Sequence, residues 1–446
     1  MHTHKTQVAV LGAGPAGSIA ARQLGLAGLD VLLIDPCVAP KGHGIESFPL
    51  SGALLADEIG LLQTLYQASD GPAETMQMLW RDTPEVRAFE GAGPLLLHRE
   101  AMRASLRKEA MRYVAPLYGR VKSVATTEYG VELLTTSGNV QADMVIHARG
   151  RHVSKRKTSD LTALPFTAQG DLPAHTMWLE AMPAGWIWAC TLSDRTLQGV
   201  VFQPATILAG KDGLARAAYV TSCLTKSDTF ADMRAINAGK PTAAGLSAAG
   251  DPVVTDRHLL VGDAALARDP IASHGLVHAM RSAVQSAIAV LTILDRAGDT
   301  RAAHSFLRHK HREAFAAAQR ATQRAYADQS RFQTAFWAEI APLETLPALP
   351  VILEGPVTLA APLTRAPVLE ADRIRWAAAI ELPVTDEFVT ALGAVTALDI
   401  AAACRPAASL HDIANRLGRQ HDMPLVFEVL ERLTLGGAFA QAEFAR

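Results

Sequence analysis

The sequence predicts an α/β fold that begins with a nucleotide-binding unit, continues through a β-rich middle and ends in a mainly helical part. Three observations lead to this prediction. A glycine-rich segment, Gly12–Gly17, follows a short apolar run; a second glycine-bearing loop occupies Gly262–Gly275; and long helix-like stretches follow it. Short apolar runs that alternate with helical patterns are typical of sheet-based α/β domains.

Length, composition and charge restrict the class of protein. A chain of 446 residues is expected to form two or three domains, or one large domain with insertions. It has 49% hydrophobic and 19% charged residues, as a packed globular protein does. Its net charge of −2 predicts no binding to nucleic acid or to an anionic membrane. No continuous apolar run reaches the roughly 18 residues of a membrane span, so we expect a cytoplasmic protein.

The cysteines indicate the same compartment. There are four, they are widely scattered, and they form no C-x-x-C motif and no cluster with histidine. We therefore expect no disulfide framework and no bound metal. Reduced thiols fit a cytoplasmic location. The four residues are Cys37, Cys190, Cys223 and Cys404.

The first glycine-rich loop has the full context of a dinucleotide-binding βαβ unit. The strand-like run Val8–Leu11 precedes it, helix-like Ser18–Ala27 follows, and a second strand, Val31–Ile34, ends at an acidic residue. The glycines permit a tight turn, the approach of a pyrophosphate and close packing of the helix, while the acidic residue holds ribose hydroxyls. This unit alone does not separate FAD from NAD. Its predicted binding residues are Gly12, Gly14, Pro15, Ala16, Gly17 and Asp35.

A second loop with the features of a cofactor site lies far along the chain. His258–Val261 is an apolar strand that leads into Gly-Asp, and a proline and a Ser-His-Gly step precede a long helix-like stretch. A nicotinamide dehydrogenase would continue from its first unit into a catalytic domain without such a loop. The presence of both loops therefore favours FAD.

The two loops together resemble those of FAD-dependent aromatic hydroxylases of the p-hydroxybenzoate hydroxylase type. The resemblance covers roughly residues 1 to 330 and implies a Rossmann-type FAD-binding domain with an inserted β-sheet substrate domain. It implies that the late Asp contacts the ribityl chain and that the next helix N-terminus faces the isoalloxazine ring. It also implies an arginine near the FAD phosphates and a valine beside the adenine. The matched residues are Arg99, Val121, Gly262, Asp263, Pro270, Gly275 and Leu276.

One segment departs from the hydroxylase pattern. Asp143–Arg151 resembles the strand that ends D-A-T-G-R in that family, with His147 and Arg149 in place of the usual Asp and Thr. In the hydroxylases this region assists NAD(P)H. We therefore expect NAD(P)H to be the external reductant, either directly or through a separate flavin reductase, and the departure favours the reductase.

Two further stretches resemble the tryptophan-halogenase branch of this superfamily. Gly44–Pro49 (GIESFP) is similar to the G-E-S-x-x-P loop beside the flavin, which adds Ser47 to the cofactor-binding residues. Gly185–Cys190 (GWIWAC) is similar to the W-x-W-x-I-P signature. For Trp186 and Trp188 the simpler interpretation is an alternating strand with one buried face.

The sequence lacks one residue of the halogenase pattern. Halogenases need a lysine between the flavin and the substrate, on the segment after the first helix of the flavin loop. Here that segment is Pro72–Arg81 (PAETMQMLWR), which contains no lysine and has Glu74 at about the expected position. We therefore expect a monooxygenase that hydroxylates an electron-rich aromatic ring through a flavin hydroperoxide.

The combination of motifs resembles the FAD monooxygenases that hydroxylate a protein-bound tryptophan during quinone cofactor (cysteine tryptophylquinone) biogenesis, as in quinohemoprotein amine dehydrogenase. It implies a peptide or protein substrate that bears tryptophan. The predicted catalytic residues are His274, before the flavin-facing helix, and Glu46, as a flavin-orienting group or a base; structural roles remain open for both. Three alternatives also remain: a halogenase, a hydroxylase of a free small aromatic, and a flavin-binding partner protein without activity.

The expected domains follow the motifs. The FAD-binding domain takes residues 1–75, 93–160 and 250–300, and the substrate domain takes 76–92 and 161–249. A helical connection follows at 301–350. A small C-terminal domain at 351–446 is expected to be mainly α and similar to winged-helix modules, and it could dock a protein substrate or serve as a lid or dimer contact. Strands of the substrate domain are expected at Trp178–Glu180, Trp186–Thr191 and Leu197–Gln203.

Overall fold

The chain forms two compact units in a computed structural model. The described residues are 3–36, 44–91, 93–152, 156–157, 159–250, 253–340, 355–385 and 387–442. One unit contains Met1–Ala287 and Ala314–Leu343, and the other contains Ile288–Glu313 and Glu344–Arg446. Cys37 and the domain boundary expected near residue 350 lie outside the described residues.

A mixed sheet forms the nucleotide-binding part of the first unit, as the α/β prediction requires. Its order is β8-β2-β1-β11-β10-β9, with β20 also beside β11, and the pairs among β8, β2, β1, β11 and β20 are parallel. The end of β1, Val8–Leu11, is fully buried, which explains its unbroken apolar sequence. The strands are β1 (Thr3–Leu11), β2 (Val31–Asp35), β8 (Ala115–Tyr118), β9 (Val121–Thr127), β10 (Gly130–Thr135), β11 (Gly138–His147) and β20 (His258–Leu260).

Helices and a small sheet complete this part. Helix α1 (Pro15–Leu26) begins with a proline, which needs no hydrogen-bond partner at that position. Two helices, α2 (Leu50–Glu58) and α3 (Leu62–Tyr66), follow the GIESFP segment, and α4 spans Arg99–Ala110. The small sheet has the order β3-β7-β4. Its strands are β3 (Ile45–Phe48), β4 (Ser69–Pro72) and β7 (Leu95–His98).

A second large sheet corresponds to the predicted substrate domain and is called the substrate sheet below. Its order is β17-β13-β16-β15-β14-β5-β6, with β18 also paired to β13. The three strands predicted for it are present as β14, β15 and β16. Strand β5 comes from much earlier in the chain and joins β14 in parallel. The elements are β5 (Thr75–Leu79), β6 (Glu85–Ala88), β13 (Leu161–Gln169), β14 (Thr176–Met182), β15 (Gly185–Thr191), β16 (Thr196–Pro204), α5 (Ala205–Leu208), α6 (Gly213–Thr225), β17 (Arg234–Ala238) and β18 (Thr242–Ala243).

Long helices follow the second cofactor loop. They are α7 (Gly275–Leu294) and α8 (Thr300–Ala327), and a short helix, α9 (Ala335–Ile340), comes after them. Short strands β12 (Arg156–Lys157), β19 (Ser247–Ala248) and β21 (Leu266–Ala267) pair ahead of them. Helix α7 is long and apolar enough to cross a membrane, although no continuous apolar run predicted this. However, 56% of its most apolar 18-residue window is buried inside the protein. Such burial is typical of a core helix.

The C-terminal part of the second unit contains three helices, as expected, and also strands that the sequence did not predict. A buried apolar core that includes Ile380, Ile400 and Val429 joins them. Helices α10 (Ala397–Ala403) and α11 (Leu410–Leu417) are capped by Thr396 and Ser409. The other elements are β22 (Val357–Leu359), β23 (Leu363–Glu370), β24 (Arg373–Leu382), β25 (Glu387–Val389), β26 (Ala391–Leu392), β27 (Val395–Thr396), α12 (Met423–Leu435) and β28 (Phe439–Gln441).

Candidate active site

The first glycine loop lies at the carboxyl edge of the parallel strands. Gly12 follows β1 with φ +101°, a conformation that favours glycine, and a Cβ there would lie 2.8 Å from the carbonyl oxygen of Ala148. A Cβ on Gly17 would lie only 1.9 Å from the carbonyl oxygen of Gly12. A Cβ on Gly14, in contrast, would meet no described atom within 4 Å. The loop is packed on its protein side and open at Gly14, as a pyrophosphate-binding turn requires.

Helix α1 directs its N-terminus at this opening. Gly14 occupies the N-cap position, Pro15 is the first helical residue, and the first turn contains no acidic side chain. The uncapped N–H groups and the helix dipole therefore favour an anion at this point. Both properties fit the pyrophosphate of the predicted FAD.

The residues predicted to bind the adenosine part meet at the same edge. Asp35 ends β2, and its Oδ2 accepts a hydrogen bond from the N–H of Ala13 at 2.9 Å. The carbonyl oxygen of Asp35 accepts a hydrogen bond from the N–H of Gly119 at 3.1 Å. Strand β9 begins two residues later at Val121, so the predicted ribose-binding and adenine-binding residues are neighbours.

The second loop touches the first. Strand β20 runs parallel to β11, so the loop that follows it leaves from the same edge. Gly262 has φ +56°, and a Cβ there would lie 2.6 Å from the Cβ of Ala16. The N–H of Gly262 donates to Oγ of Ser282 on α7 at 3.0 Å. The structure therefore brings together two loops that the sequence placed far apart.

Two oppositely charged pairs lie beside these loops. Nε of Arg99 donates to Oε1 of Glu46 at 2.6 Å, and this carboxylate raises the pKa of Arg99. Nε of Arg151 lies 3.7 Å from Oδ2 of Asp263, and the charges of Arg99 and Glu46 also act on Asp263. Glu46, predicted as a possible base, is thus held in an ion pair with a predicted phosphate-binding arginine.

Among the described residues, no hydrogen bond to the carboxylate of Asp263 is found, which fits a ribityl chain as its partner. Burial raises the pKa of Asp263, and the neighbouring Arg151 and Arg99 act in the opposite direction. Arg151 is too distant for a hydrogen bond and donates instead to three backbone carbonyl oxygens, those of Ala244, Gly245 and Arg268. The hydroxyl groups of a ribityl chain would supply the missing donors.

A buried carboxylate and a buried phenol anchor the turn after this loop. Oδ1 of Asp269 accepts hydrogen bonds from the hydroxyl of Tyr326 at 2.9 Å and from the N–H of Ile271 at 3.1 Å. Burial raises the pKa of Asp269 to about 6. Pro270 opens a single 3₁₀ turn, Pro270–Ala272, and the long helix α7 begins at Gly275, after the Ser-His-Gly step.

His274 lies at the start of α7, as predicted. It is exposed, and its Nδ1 contacts the carbonyl oxygen of Ala272. Ser273, just before it, has φ +48°, which reverses the chain between the turn and the helix. A Cβ on Gly275 would meet no described atom within 4 Å, whereas Leu276 is buried. The chemical roles of His274 and Glu46 remain predictions.

One face of the substrate sheet presents aromatic and sulfur-bearing side chains in rows. The register pairs Met78 with Leu179, Leu179 with Trp188, and Trp188 with Val200, so these four half-buried residues form one row. The row on one side of it is buried and includes Trp186, which stacks on Phe202 at 3.8 Å between ring centroids and packs edge-on against Trp80. The row on the other side consists of Met76, Met177, Cys190 and Gln198.

Two segments near the predicted flavin site reach this face: strand β3, and the turn after the second glycine loop. Ser47, a predicted cofactor-binding residue, has its Oγ 3.8 Å from Sδ of Met177. Ile271, from the turn after the second loop, packs against the aromatic cluster that contains Trp186. The ring of a flavin bound at the two loops is therefore expected to meet the apolar face of the sheet.

A cavity of about 250 Å³ opens on the same face. Its floor is formed by Met76, Met78, Trp80, Leu179 and Ile271. At its mouth, Arg81 pairs with both Glu85 and Asp328. A second cavity, of about 330 Å³, is lined by Arg151 and by many serine, threonine and alanine residues. The aromatic and methionine-lined cavity is the better candidate for an aromatic substrate.

Glu74, which stands where a halogenase would carry lysine, is exposed and precedes β5. Its N–H donates to the carbonyl oxygen of His175, and its carbonyl oxygen accepts from the N–H of Phe89, both at 2.8 Å. The residue therefore has a backbone role in joining three strands. Its carboxylate does not line the cavity.

The departure at His147 has a structural explanation. Its Nε2 lies 3.1 Å from Nδ1 of His258 on the neighbouring strand, and Nε2 of His258 lies 2.7 Å from Oγ1 of Thr126. Burial, with contributions from His258 and Arg149, lowers the pKa of His147 to about 4. The pair is therefore uncharged near neutral pH and serves the packing of β11 against β20.

Sequence reasoning did not find three features of this site. Asp269 and Tyr326 lie on different elements, and only the Asp-Pro step marked the first of them. Trp80 lies in the segment Pro72–Arg81, and no sequence pattern there distinguishes it as a site residue. Arg151 was noted as part of a family motif, but its contacts with three carbonyl groups depend on the tertiary structure.

Comparisons with known proteins found two matching family models and one curated relative. A family model described as tryptophan halogenase matches residues 105–353, and one described as an FAD binding domain matches residues 5–170. A tryptophan 2-halogenase of Chondromyces crocatus is 23% identical over 370 residues, which cover 74% of this chain and 70% of that protein.

Two solved structures share the fold over nearly the whole chain. The peptidyl tryptophan dihydroxylase QhpG, essential for tryptophylquinone cofactor biogenesis, is 24% identical with a TM-score of 0.75, and the match covers 97% of this chain and 99% of that one. The flavin-dependent halogenase CmlS is 17% identical with a TM-score of 0.81, and the match covers 100% and 99%. At these identities the likeness shows the fold alone.

A pair of glycine variants tests the cofactor loop. Gly14→Val should abolish FAD binding and leave the unfolding temperature of the apoprotein unchanged, because its side chain meets only open space. Gly17→Ala should also lose FAD but destabilise the apoprotein by more than about 2 kcal/mol, because its Cβ overlaps a carbonyl oxygen. Flavin absorbance after desalting and thermal unfolding measure the two effects. Full FAD occupancy in Gly14→Val would contradict the assignment.

Asp269→Asn tests the buried carboxylate. A folded-state pKa of about 6, above the ordinary 3.8, means that ionisation destabilises the wild-type fold as pH rises from about 4 to about 7. Asparagine accepts the same two hydrogen bonds without a charge. The variant should therefore gain stability over the wild type across this interval, by up to about 3 kcal/mol. Denaturant unfolding at several pH values measures it, and a difference independent of pH would show that Asp269 does not titrate there.

Proposed function

This chain belongs to the tryptophan halogenase family, and from that premise we propose that it hydroxylates a tryptophan side chain within a peptide or protein. Membership makes it an FAD-dependent monooxygenase in the broad sense, as its motifs predicted. When bound and reduced, FAD supplies the activation of molecular oxygen. The residues of this chain bind the cofactor, place an aromatic ring beside it and exclude water.

The observation that carries the proposal is the lining of the aromatic cavity. The described lining residues include no lysine, and the one cation at the mouth, Arg81, is already paired with Glu85 and Asp328. A halide-oxidising site needs an ammonium group to hold hypohalous acid between flavin and substrate. Without that group, oxygen transfer directly to the ring is the chemistry that the cavity supports.

The paired charges at the cavity mouth also favour a tryptophan within a polypeptide over free tryptophan as the substrate. A free amino acid carries a carboxylate that needs an unpaired cation in its pocket. Because Arg81 is neutralised by two carboxylates, the described mouth does not offer one. A tryptophan within a peptide has neutral amides on both sides. The whole-chain likeness to QhpG, a peptidyl tryptophan dihydroxylase, supports this choice and suggests that the product is a quinone cofactor precursor.

The reductant in this proposal reaches the flavin through a separate flavin reductase. Support comes from the uncharged His147–His258 pair, which replaces the acidic residue of the hydroxylase motif. NAD(P)H is then consumed by the reductase. A cytoplasmic location also remains part of the proposal.

Halogenation is the second candidate. The family itself and the 23% identity to a tryptophan 2-halogenase favour it. Under that alternative, a cation outside the described cavity lining would have to hold the oxidised halide. Bromide dependence distinguishes the two activities.

The test is a turnover assay with the FAD-loaded protein, a flavin reductase, NADH and oxygen. A tryptophan peptide blocked at both ends should gain one or two oxygen atoms by mass spectrometry, with or without bromide. Free tryptophan is the control and should react at least about tenfold more slowly. Incorporation of bromine would establish halogenation, and production of peroxide alone with every substrate would favour a flavin-binding partner protein.

A further inference from the structure

Strand β6 (Glu85–Ala88) ends the substrate sheet, and no strand among the described residues pairs with its outer edge. All four of its residues are exposed, and Val86 is 68% exposed. Proteins usually block such an edge, because its unpaired backbone groups accept another strand. Here the edge is short but lies beside the aromatic cavity.

The hydrogen-bond pattern shows which backbone groups face outward. Just outside the two strands, the N–H of Phe89 donates to the carbonyl oxygen of Glu74 at 2.8 Å. The adjoining register, from the pair Thr75–Ala88 to the pair Met78–Glu85, has no shift. Hydrogen-bonded and non-hydrogen-bonded residue pairs alternate along an antiparallel ladder. Arg87 and Glu85 therefore bond to β5, whereas Val86 and Ala88 direct their N–H and C=O groups to the open edge.

The cavity adjoins this edge on one face of the sheet. Glu85 stands opposite Met78 and Arg87 stands opposite Met76, so both side chains lie on the face that carries the cavity floor. Glu85 also lines the cavity mouth, together with Thr83. A strand added beyond β6 would lie about 4.8 Å away. A tryptophan opposite Glu85 would then project on the cavity side.

We propose that the substrate binds as an extra strand on β6 and presents its tryptophan to the aromatic cavity. Backbone hydrogen bonds with Val86 and Ala88 hold the extended segment, and the cavity selects the side chain, which is a known division of labour in strand addition. This inference rests on the proposed function, because it takes the substrate to be a polypeptide that bears tryptophan.

Charge defines the segment further. Arg87 lies on the cavity face, two residues from Glu85; its guanidinium lies 5.5 Å from the ring centroid of Phe89, and no ion pair is found for it among the described residues. Oppositely charged side chains stabilise neighbouring strands when they stand across from each other. The substrate segment therefore carries an acidic residue two positions from its tryptophan.

The first experiment uses a fluorescein-labelled peptide, Thr-Glu-Val-Trp-Val-Glu-Thr, blocked at both ends. Val86→Pro removes an outward N–H without touching the β5 ladder, and Val86→Ala is its matched control. Binding measured by anisotropy should weaken about tenfold in Val86→Pro and stay near wild type in Val86→Ala. FAD content and unfolding temperature confirm that both variants fold. Equal binding by the two variants, or no binding by the wild type, would overturn the proposal.

A charge exchange tests the register. Arg87→Glu should weaken binding of the glutamate peptide and restore it for the same peptide with lysine in place of both glutamates. Hydrogen exchange should show that the peptide protects the amides of Val86 and Ala88. Protection confined to another part of the chain would place the docking site elsewhere and overturn the proposal.

The outcomes separate this inference from the function on which it rests. If both Val86 variants insert oxygen into the peptide equally well and bind it equally, strand addition is wrong and hydroxylation stands. If the peptide binds at β6 but gains no oxygen in any variant, docking stands and the proposed hydroxylation is wrong.

Discussion

The close backbone approach between Gly12 and Gly17 is the constraint on which the cofactor site depends. It holds the first turn of α1 against the end of β1, so the helix N-terminus opens at Gly14. The contact between Ala16 and Gly262 then fixes the second loop against the first. Since neither contact leaves room for a larger side chain, we expect a cofactor bound at these loops to be positioned by close-packed backbone and Cβ atoms.

The substrate side is built on a different principle. Its face is a set of side chains aligned by strand register, with a buried row around Trp186 and a half-buried row around Trp188. The buried row secures the sheet through aromatic stacking, while the half-buried row leaves polarisable surface for a ring. Charges are kept to the mouth, where Arg81 is paired twice. The separation of a rigid, polar cofactor edge from an apolar substrate face suits oxygen transfer in a site that excludes water.

The sequence predicted the cofactor loops well because their signals are local. A strand, a glycine turn and a helix follow one another within about thirty residues in Val8–Asp35, and the structure brings the residues of both loops to one edge. Family membership, the FAD-binding domain and the α/β class are confirmed. The strand predicted at Trp186 and Trp188 is also present. Trp186 is buried and Trp188 is half-buried, but the opposite face, with Ile187 and Ala189, is buried as well, so burial does not alternate along it.

Other features could not be predicted, for physical reasons. The bond between Asp269 and Tyr326 joins a turn to a helix whose sequence looks equally suited to solvent. The parallel pairing of β5 with β14 joins strands that are distant in the chain, and periodicity does not specify a partner. The long strands of the second unit, β23 and β24, alternate only weakly between buried and exposed residues, so only its helices gave a clear pattern. The segment Pro72–Arg81 contains no lysine, but its sequence does not indicate that Trp80 packs against Trp186 and Trp337 in the aromatic cluster.

The parallel pairing of β20 with β11 has a consequence for biosynthesis. Strand β1 pairs with β11, and β11 in turn pairs with β20, so the edge predicted to bind the cofactor combines segments that are far apart in the sequence. A ribosome releases the chain from its N-terminus, and contacts between distant segments form only after both have emerged. The first glycine loop therefore cannot form its contacts with Gly262–Gly275 until that segment has left the exit tunnel. Loading with FAD then marks a chain whose synthesis has passed that point.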